Sequence, residues 1–420
     1  MNSEKVTQKA AQAVDQDRLW GRIQAMGALG ATPKGGVNRQ AFSQEDRQAR
    51  RLLAEWANAL GLAVAQDAIG NLFVRLDGAD KGAKAVLTGS HLDSQPTGGK
   101  FDGAYGVMAG FEALEAMVVS GLRPRRPIEL VAWANEEGSR FQPGAMGSAV
   151  YAGAVTLDRL AGVTGFDGAP LAGELAATLA DAADIPLRAA PDYPEFYVEA
   201  HIEQGPRLEH AGLPIGVVTG IQGQHRYRIT LTGEEAHAGT TPHALRADAL
   251  QSAVAIINAL NAFMQDPEDI VRFTIGRFEV APGSPNTVPG QVVFTIDLRH
   301  PDATTLTRLG SGIEGIAKAE AGRCGVSVEQ VSEVAPVHFD TRVIAAVREE
   351  ADALGLANME MISGAGHDAM HVAAKAPAGM IFIPCLKGVS HAPEEYATPE
   401  ACAAGARVLL ETVRRLDAQG

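Results

Sequence analysis

The chain lacks three features that would each point to a particular class of protein. Its 420 residues include only three cysteines, an odd number without a C-x-x-C pair, so a disulfide-stabilised secreted fold is not expected and a reducing cytoplasm is. No apolar run reaches membrane-spanning length, and residues 1–20 lack the hydrophobic segment of a signal peptide. The formal net charge of −14 opposes nucleic-acid or anionic-membrane binding, because both need a broad positive surface.

The chain is long enough, and apolar enough, to form two domains. A single hydrophobic core stops growing beyond about 250–300 residues, and 46% of these 420 residues are hydrophobic. Four short segments have the nearly continuous hydrophobicity of strands buried on both faces: 83–90, 127–134, 195–201 and 379–385. A helix from Asp102 to Gly121, between the first two segments, would complete a β-α-β unit.

The middle of the chain follows a different order. After the strand HRYRITLTG come a helix over 245–264, the antiparallel pair RFTIGRFEV and QVVFTIDLRH, a helix over 302–321 and the strand VSVEQVSEV. This is the order of a ferredoxin-like α+β domain. We therefore predict an α/β fold with two domains. A mixed-sheet core of residues 1–219 and 338–420 has helices on both faces, and a smaller domain of 220–337 is inserted into it.

Polar side chains stand at the ends of the predicted core strands. His91 and Asp93 follow the first strand, where a carboxylate two residues from an imidazole can orient it for a metal. Asp102 follows in the glycine-rich stretch G-G-K-F-D-G-A-Y-G. On its own, Asp102 would be interpreted as an ordinary helix N-cap.

The next two strands and the last one add further candidate ligands. Glu136 and Glu137 lie side by side just past the second strand; adjacent carboxylates repel each other unless a cation is present. One of them can bind a metal while its neighbour handles the proton of a water. His201 ends the third strand and His391 follows the fourth. Since open α/β sheets bind ligands at the carboxyl ends of their strands, this set predicts a site for Zn²⁺ or a similar divalent ion.

Seven phrases spread over nearly the whole chain resemble one family. They are G-S-H-L-D-S, G-K-F-D-G, N-E-E-G-S-R-F, H-I-E-Q-G-P, H-A-G-T-T-P, G-A-G-H-D-A and S-H-A-P-E-E. Each is weak alone, but together they resemble the M20 family of metallopeptidases and, within it, the hydantoinase/carbamoylase branch. That branch contains N-carbamoyl-L-amino-acid hydrolases, β-ureidopropionases and allantoate amidohydrolases.

The resemblance implies a two-metal hydrolase core with the inserted domain as a lid and dimerisation domain. Asp102 would bridge two divalent ions, whose remaining ligands would be His91, Glu137, His201 and His391. Zn²⁺ or Mn²⁺ is expected, with Co²⁺ or Ni²⁺ as alternatives, because all of them tolerate this set of nitrogen and oxygen ligands. A homodimer through the inserted domain is expected as well.

Catalytic roles follow from the same resemblance. Asp93 would hold the ring of His91 in the metal-binding tautomer. Glu136 would act first as general base and then as acid, and His237 would stabilise the developing oxyanion from its own or the partner subunit. A histidine at position 201, within H-I-E-Q-G, is the carbamoylase form, whereas peptidase relatives are expected to have an aspartate there.

Substrate recognition would fall to the inserted domain and to a glycine-rich loop. Arginine forks match a carboxylate, and an asparagine amide can bind a ureido group. Without the resemblance, an isolated strand-end arginine is better interpreted as a solvated sheet edge. The candidate residues are Gln224, Arg226, Asn286, Arg299, Gly366 and His367.

The expected protein is thus a hydrolase that directs a metal-activated water at the carbamoyl group of an N-carbamoyl-L-amino acid. Allantoate and N-carbamoyl-β-alanine are alternative substrates of the same chemistry. An aminoacylase or peptidase of the same family is a further alternative. A non-catalytic binding protein on the same fold is the remaining one, and the complete set of ligands and base argues against it.

Overall fold

The computed structural model describes residues 11–188 and 191–419. The chain divides into two compact units. One, here called the core unit, contains the residues up to Thr219 and from Phe339 onward, and the other, the inserted unit, is Gly220–His338. The boundaries expected from the sequence, 220 and 337, differ from these by at most one residue.

The described residues contain both helices and strands. The helices are α1 (Gln16–Ala28), α2 (Gln44–Ala59), α3 (Ala104–Ser120), α4 (Met146–Tyr151), α5 (Leu157–Leu160), α6 (Leu171–Asp181), α7 (Arg207–Ala211), α8 (Ala249–Phe263), α9 (Ala303–Glu320), α10 (Thr341–Ala353), α11 (Ala369–Val372) and α12 (Pro399–Asp417). The strands are β1 (Ala63–Gln66), β2 (Leu72–Leu76), β3 (Val86–His91), β4 (Ile128–Trp133), β5 (Phe196–Ile202), β6 (Ile215–Ile221), β7 (Gly223–Thr232), β8 (Ala236–His237), β9 (Arg272–Ala281), β10 (Thr287–Val288), β11 (Gln291–His300), β12 (Gly325–Val334), β13 (Val337–His338), β14 (Asn358–Ser363) and β15 (Ala378–Ile383). Within the described ranges, no helix has both the length and the apolar composition needed to cross a membrane.

The core unit is built on a mixed sheet. Its strand order is β1-β2-β4-β3-β5-β15-β6, and β14 also pairs with β6. The four strands β4, β3, β5 and β15 run parallel to one another. On the two sides of this group, β2 is antiparallel to both β4 and β1, and β6 is antiparallel to β15. The parallel strands are the four that the apolar segments predict, so their carboxyl ends meet at one edge of the sheet.

Both faces of this sheet are covered, as the near-continuous hydrophobicity of its strands requires. Alternate side chains of a strand point to opposite faces. On β5, Val198 and Ala200 pack into the large hydrophobic cluster that includes α3 and α12. Glu199 and His201 point to the other face, where the first N–H of α11, from Ala369, donates to Glu199 at 3.0 Å. The functional histidine of β5 is therefore carried on the face opposite α3 and α12.

The antiparallel strands β1 and β2 were not predicted from the sequence. They are four and five residues long and only partly buried. Such short, partly exposed strands lack both the alternation and the continuous apolar run that identify longer ones.

The inserted unit has the ferredoxin-like arrangement that its order of elements predicts. Its sheet has the order β12-β7-β11-β9, with every neighbouring pair antiparallel. Side chains of α8 and α9 form a second hydrophobic cluster with one face of this sheet. Every second residue of β7 is therefore buried, and the residues between them lie on the opposite face. A separate two-stranded ladder joins β8 to β10.

Candidate active site and metal centre

Two buried histidines at the ends of β3 and β5, His91 and His201, both direct their Nε2 atom towards Asp102. His91 Nδ1 lies 2.9 Å from the carbonyl oxygen of Asp93, and His201 Nδ1 lies 2.9 Å from that of Ile202. Because a carbonyl only accepts, each Nδ1 carries the proton of the neutral ring and each Nε2 keeps its lone pair. The two Nε2 atoms are 3.7 and 3.2 Å from Oδ1 of Asp102.

Asp102 is placed by a tight turn and not by helix capping. The N–H of Ala104 donates to the Asp102 carbonyl oxygen at 2.6 Å, and Gly103 between them has φ 62° and ψ −51°. This is a γ-turn with positive φ, a conformation that strains any residue with a Cβ. Gly103 is the N-cap of α3, so the carboxylate of Asp102 is free to face the histidines.

A second group of candidate ligand atoms lies beside the other carboxylate oxygen of Asp102, Oδ2. His391 Nε2 is 3.1 Å from Asp102 Oδ2 and 3.6 Å from Glu137 Oε2. The groups His91–Asp102–His201 and Asp102–Glu137–His391 each bring their ligand atoms within 4.8 Å of one another. Asp102 thus offers one oxygen to each group, as a carboxylate that bridges two ions does.

The spacings within both groups fit ligands around divalent ions. With metal–ligand bonds of about 2.0–2.2 Å, two atoms at a tetrahedral angle lie about 3.3–3.6 Å apart. The three pairs between Asp102 and a histidine measure 3.1–3.7 Å. The imidazole nitrogens have lone pairs that point inward, and together with the carboxylate oxygens they form a donor set suited to Zn²⁺ or Mn²⁺. The residues present therefore fit two divalent ions.

The electrostatics of the site also favour positive charge at these positions. Burial raises the pKa of Asp102, but hydrogen bonds with His201 and His391 outweigh it and hold that pKa well below its usual value. Burial lowers the pKa of His201, and the contact with Asp102 more than reverses this, raising it to about 9. The Gly103 N–H also points at His201 Nε2, at 3.1 Å, a contact that only the unprotonated ring accepts. We therefore take the neutral, cation-binding ring as the functional form.

Glu136 and Glu137 leave β4 in a loop that Asp93 holds. Their two N–H groups donate to the Asp93 carboxylate, each at 3.1 Å. Glu136 Oε2 lies 3.5 Å from His91 Nε2, beside the first ligand group without belonging to it. Burial, followed by the charges of Asp368 and other carboxylates, raises the pKa of Glu136 well above its usual value. A carboxylate of raised pKa is suited to accept a proton and return it.

Asp93 makes a different contact from the expected one. Its carboxylate was expected to hold His91, but the backbone carbonyl of Asp93 makes the short contact, and the carboxylate lies 3.7 Å from His91 Nδ1. The carboxylate accepts instead from the N–H groups of Glu136 and Glu137. Asp93 therefore supports the ring with its main chain and the glutamates with its side chain.

Three polar residues that sequence reasoning did not single out surround Asp102. Gln204 Nε2 donates to Asp102 Oδ2 at 2.8 Å, and Ser390 Oγ lies 3.1 Å from the same oxygen. Glu395 Oε1 accepts from the N–H groups of Phe101 and Asp102 at 2.9 and 3.0 Å. All three lie inside H-I-E-Q-G-P or S-H-A-P-E-E, and these two phrases were the only signal that could have found them.

A buried layer lies behind His201. The ring of His367 meets that of His201 edge-on with centroids 4.5 Å apart, and His367 Nε2 lies 2.9 Å from Ser363 Oγ. Glu199, His201 and His367 form a third compact group, but the Glu199 oxygens already accept from Ser90, Tyr197 and the Ala369 N–H. This group therefore supports the ring of His201. Gly366, the other candidate of this loop, lies between β14 and α11.

His237 and Asn286 come together in the inserted unit. His237 pairs with Thr287 in the β8–β10 ladder, and the Ala238 N–H donates to the Asn286 carbonyl oxygen at 2.9 Å. His237 is exposed, and its Nδ1 accepts from the N–H groups of Gly239 and Thr240 at 3.0 and 3.2 Å. With Nδ1 used as an acceptor, Nε2 of the neutral ring carries the proton and is a hydrogen-bond donor.

The other three candidates of the inserted unit form a second cluster. Gln224, Arg226 and Arg299 all contact the carboxylate of Asp297, at 2.8, 3.3 and 2.8 Å. Asp297 was not a candidate in the sequence analysis, although it stands two residues before Arg299 in QVVFTIDLRH and therefore on the same face of the strand.

A mixed α/β core, a site fitted to two divalent ions and a carboxylate beside it define a metallohydrolase. A model of Peptidase family M20/M25/M40 matches residues 87–415. The chain belongs to this family and, within it, to the hydantoinase/carbamoylase branch.

Three relatives illustrate the match. An N-carbamoyl-L-amino-acid amidohydrolase of Rhizobium meliloti is 39% identical over 402 residues, which cover 95% of this chain and 96% of the relative. An allantoate amidohydrolase of Bacillus subtilis is 34% identical over 410 residues, with coverage of 94% and 96%. The crystal structure of a hydantoinase/carbamoylase family amidase from Burkholderia multivorans has a TM-score of 0.91 at 42% identity, with coverage of 96% and 98%. The fold class and the family expected from the motifs are confirmed.

Proposed function

We propose that the protein hydrolyses the carbamoyl C–N bond of an N-carbamoyl-L-amino acid and releases the free amino acid, ammonia and carbon dioxide. The observation that carries the proposal is Asp102, which offers one oxygen to each of two ligand groups, with Glu136 3.5 Å from His91. The relatives support the reaction class, a hydrolase acting on C–N bonds other than peptide bonds.

Two divalent ions, Zn²⁺ or Mn²⁺ by the chemistry of the donors, complete this site. His91 and His201 would hold one, Glu137 and His391 the other, with Asp102 between them. When bound there, the ions supply Lewis acidity that polarises the carbamoyl oxygen and makes a water acidic enough to attack at neutral pH.

Glu136 handles the protons of the reaction. Its carboxylate takes a proton from the attacking water and delivers it to the nitrogen that leaves the carbamoyl carbon. The raised pKa of Glu136 allows the carboxylate to keep the proton between these two steps. The positive charge of bound ions would lower this pKa again, towards neutral pH. The N–H groups of Glu136 and Glu137 donate to Asp93 and hold the backbone from which this carboxylate extends.

The inserted unit supplies groups for the transition state and for the substrate's charged end. His237 presents an Nε2–H donor, which is the group needed to stabilise a developing oxyanion. Arg299 would bind the substrate carboxylate with its guanidinium fork, and Asn286 would bind the ureido group. Gln224 and Arg226 would assist Arg299, and Gly366 and His367 of the core unit are further candidate substrate contacts.

A homodimer through the inserted unit is part of the proposal. The four-stranded sheet has two outer strands, β9 and β12, and an exposed strand edge is a ready surface for pairing with a second copy. Light scattering after gel filtration measures the mass directly, and a monomer at micromolar concentration would contradict this part. The three buried free thiols fit a reducing compartment such as the cytoplasm.

The decisive assay is ammonia release from protein reconstituted with Zn²⁺ or Mn²⁺. The panel contains several N-carbamoyl-L-amino acids, N-carbamoyl-β-alanine and allantoate, the last because a relative carries that name. N-acetyl amino acids and dipeptides are followed in parallel by release of the free amine. The matched variants are Glu136→Gln, which removes the base, and Glu55→Gln, which changes an exposed glutamate of α2.

We expect the wild type to release ammonia from N-carbamoyl-L-amino acids. Glu136→Gln should lower the rate of release by about 10²–10⁴-fold and leave the bound metal unchanged, and Glu55→Gln should behave as the wild type. Preferred turnover of allantoate would move the assignment to an allantoate amidohydrolase. Cleavage of only the acylated amino acids or dipeptides would replace the proposal with the aminoacylase or peptidase alternative. No turnover of any substrate would restore the non-catalytic one.

A further inference from the structure

Four polar side chains of the inserted unit form a square on the sheet face opposite its helices. Asp297 lies directly across from Arg226 in the β11–β7 register, and Arg299 lies directly across from Gln224. The buried neighbours on β7 and β11 face the helices, so all four point to the other face. Cross-strand neighbours on one face are close enough to interact.

Asp297 is the centre of this square. Its Oδ1 accepts from Arg299 Nε at 2.8 Å, and its Oδ2 accepts from Arg299 Nη2 at 3.2 Å. The same Oδ2 accepts from Gln224 Nε2 at 2.8 Å and from Arg226 Nε at 3.3 Å. Burial raises the pKa of Asp297, but the contacts with Arg299 and Arg226 prevail and lower it. The carboxylate therefore stays charged and binds Arg299 along one edge of the guanidinium.

The charges of this cluster define what it can bind. Within the square, two guanidinium groups and one carboxylate leave a net charge of +1, which favours a ligand that carries a carboxylate. The guanidinium is planar and carries five N–H donors in a fixed fork, so two bonds along one edge fix the orientation of the whole group. Holding that plane fixed before binding reduces the entropy lost when the substrate docks.

The ion pair between Arg228 of β7 and Glu329 of β12 is an ordinary surface contact of the same sheet. Arg228 Nη1 lies 2.9 Å from Glu329 Oε2, and the two side chains are 46% and 59% exposed. That pair joins one cation to one anion. The Asp297 side chain is 25% exposed and joins three donors. The Arg228–Glu329 pair is therefore a matched control on the same sheet.

We propose that Asp297 is a positioning residue for substrate recognition, which sets the orientation of Arg299 and through it the preference of the site for ligands that carry a carboxylate. The inference rests on the proposed function, because it takes Arg299 as the group that binds the substrate carboxylate. Asp297 does not touch the substrate; it acts through Arg299.

The test compares Asp297→Asn with Glu329→Gln in the metal-loaded, full-length protein. KM and kcat are measured with whichever carboxylate-bearing substrate the wild type cleaves best, and with the carboxamide analogue of that substrate. Asp297→Asn should raise KM for the carboxylate by about 10-fold or more, the loss expected for a hydrogen bond to a charged group. Its kcat, and its KM for the carboxamide, should change by less than about twofold. Glu329→Gln should leave all of these values unchanged.

Two further variants separate positioning from general damage to the sheet. In an Arg299→Gln background, Asp297→Asn should have almost no further effect on KM, because the residue through which it acts is gone. Asp297→Glu, which keeps the charge, should recover part of the lost affinity. An unchanged KM in Asp297→Asn would overturn the inference, and so would an equal loss on the carboxamide or independent, additive losses with Arg299→Gln.

A binding measurement separates this inference from the proposed function. Calorimetry with an N-carbamoyl-L-amino acid and the Glu136→Gln protein gives a Kd that does not depend on turnover. If the wild type cleaves no carbamoyl substrate, the proposed function fails, whereas an equal Kd with and without Asp297→Asn makes the positioning role fail. Absence of binding to either protein would overturn both.

Discussion

Replacement of Gly103 by alanine tests how the Asp102 carboxylate is placed. A Cβ on Gly103 would lie 2.3 Å from Cε1 and 2.4 Å from Cδ2 of the His91 ring. Carbon atoms in contact normally stay about 3.5–4.0 Å apart, so the ring or the turn would have to move by roughly 1 Å. The residue also has φ 62° and ψ −51°, where a side chain is strained.

The size of the effect follows from these two terms. Backbone strain of this kind is worth about 1–3 kcal/mol, and overpacking of a filled site typically adds about 1–3 kcal/mol. If the ligands hold their places, Gly103→Ala should lower the free energy of unfolding by about 2–6 kcal/mol. If His91 yields instead, the loss of stability is smaller, but a displacement of about 1 Å should lower kcat/KM by about 10²-fold.

Gly121 provides the matched control. It ends α3 with φ 70° in the left-handed region, and a Cβ there would meet nothing within 4 Å. Gly121→Ala should therefore lower stability by about 1–2 kcal/mol without touching metal content or activity. Chemical denaturation, kcat/KM and metal analysis of both variants decide the question. A Gly103→Ala protein with wild-type metal content, wild-type kcat/KM and the stability of Gly121→Ala would refute this account of the turn.

Three further predictions follow from contacts in the core unit. Asp102→Asn should abolish binding of both ions while Glu137→Ala abolishes one, as measured by metal analysis after gel filtration; equal losses would contradict the shared position of Asp102. Arg39 is buried and donates to three backbone carbonyls, so Arg39→Met should cost about 3–5 kcal/mol of unfolding free energy in urea titration; a loss below about 1 kcal/mol would argue against these bonds. Burial raises the pKa of the Cys385 thiol to about 11, so at pH 8 only about one part in a thousand of it is thiolate. The rate at which a disulfide reagent labels Cys385 should therefore rise about tenfold per pH unit until the pH reaches this pKa. Rapid labelling of the folded protein at pH 8 would contradict the burial of this thiol.

The grouping of the candidate metal ligands could be predicted because strand geometry and chemistry converge on them. His91, Glu137 and His201 each stand at or just past the end of an apolar segment, and parallel strands bring those ends to one edge. The sequence therefore contained both the residue types and the rule that assembles them. The family motifs added Asp102 as the expected bridging residue, which spacing alone would have left as a helix N-cap.

The contacts that hold these ligands in place were not predictable from the pattern. The γ-turn at Gly103 depends on one φ/ψ pair, and no residue preference distinguishes it from other glycine turns. Gln204 and Glu395 reach Asp102 from loops far away in sequence, and composition says nothing about such pairings. The cluster on Asp297 was missed for a related reason, since the register of β7 and β11 that makes it cannot be read from either strand alone.

Buried carboxylates connect the stability of this fold with its chemistry. Burial is the largest cause that raises the pKa of Glu137 to about 8 and that of Glu395 to about 7, so without a cation these groups oppose their own ionisation. A chain selected only to fold would gain by replacing one glutamate of an adjacent pair beside a buried aspartate. The pair is useful only if positive charge is bound beside it, and the group of Asp102, Glu137 and His391 is a place that could hold such a charge. The same residues that make the metal-free core unit less stable are therefore those through which metal binding would stabilise it.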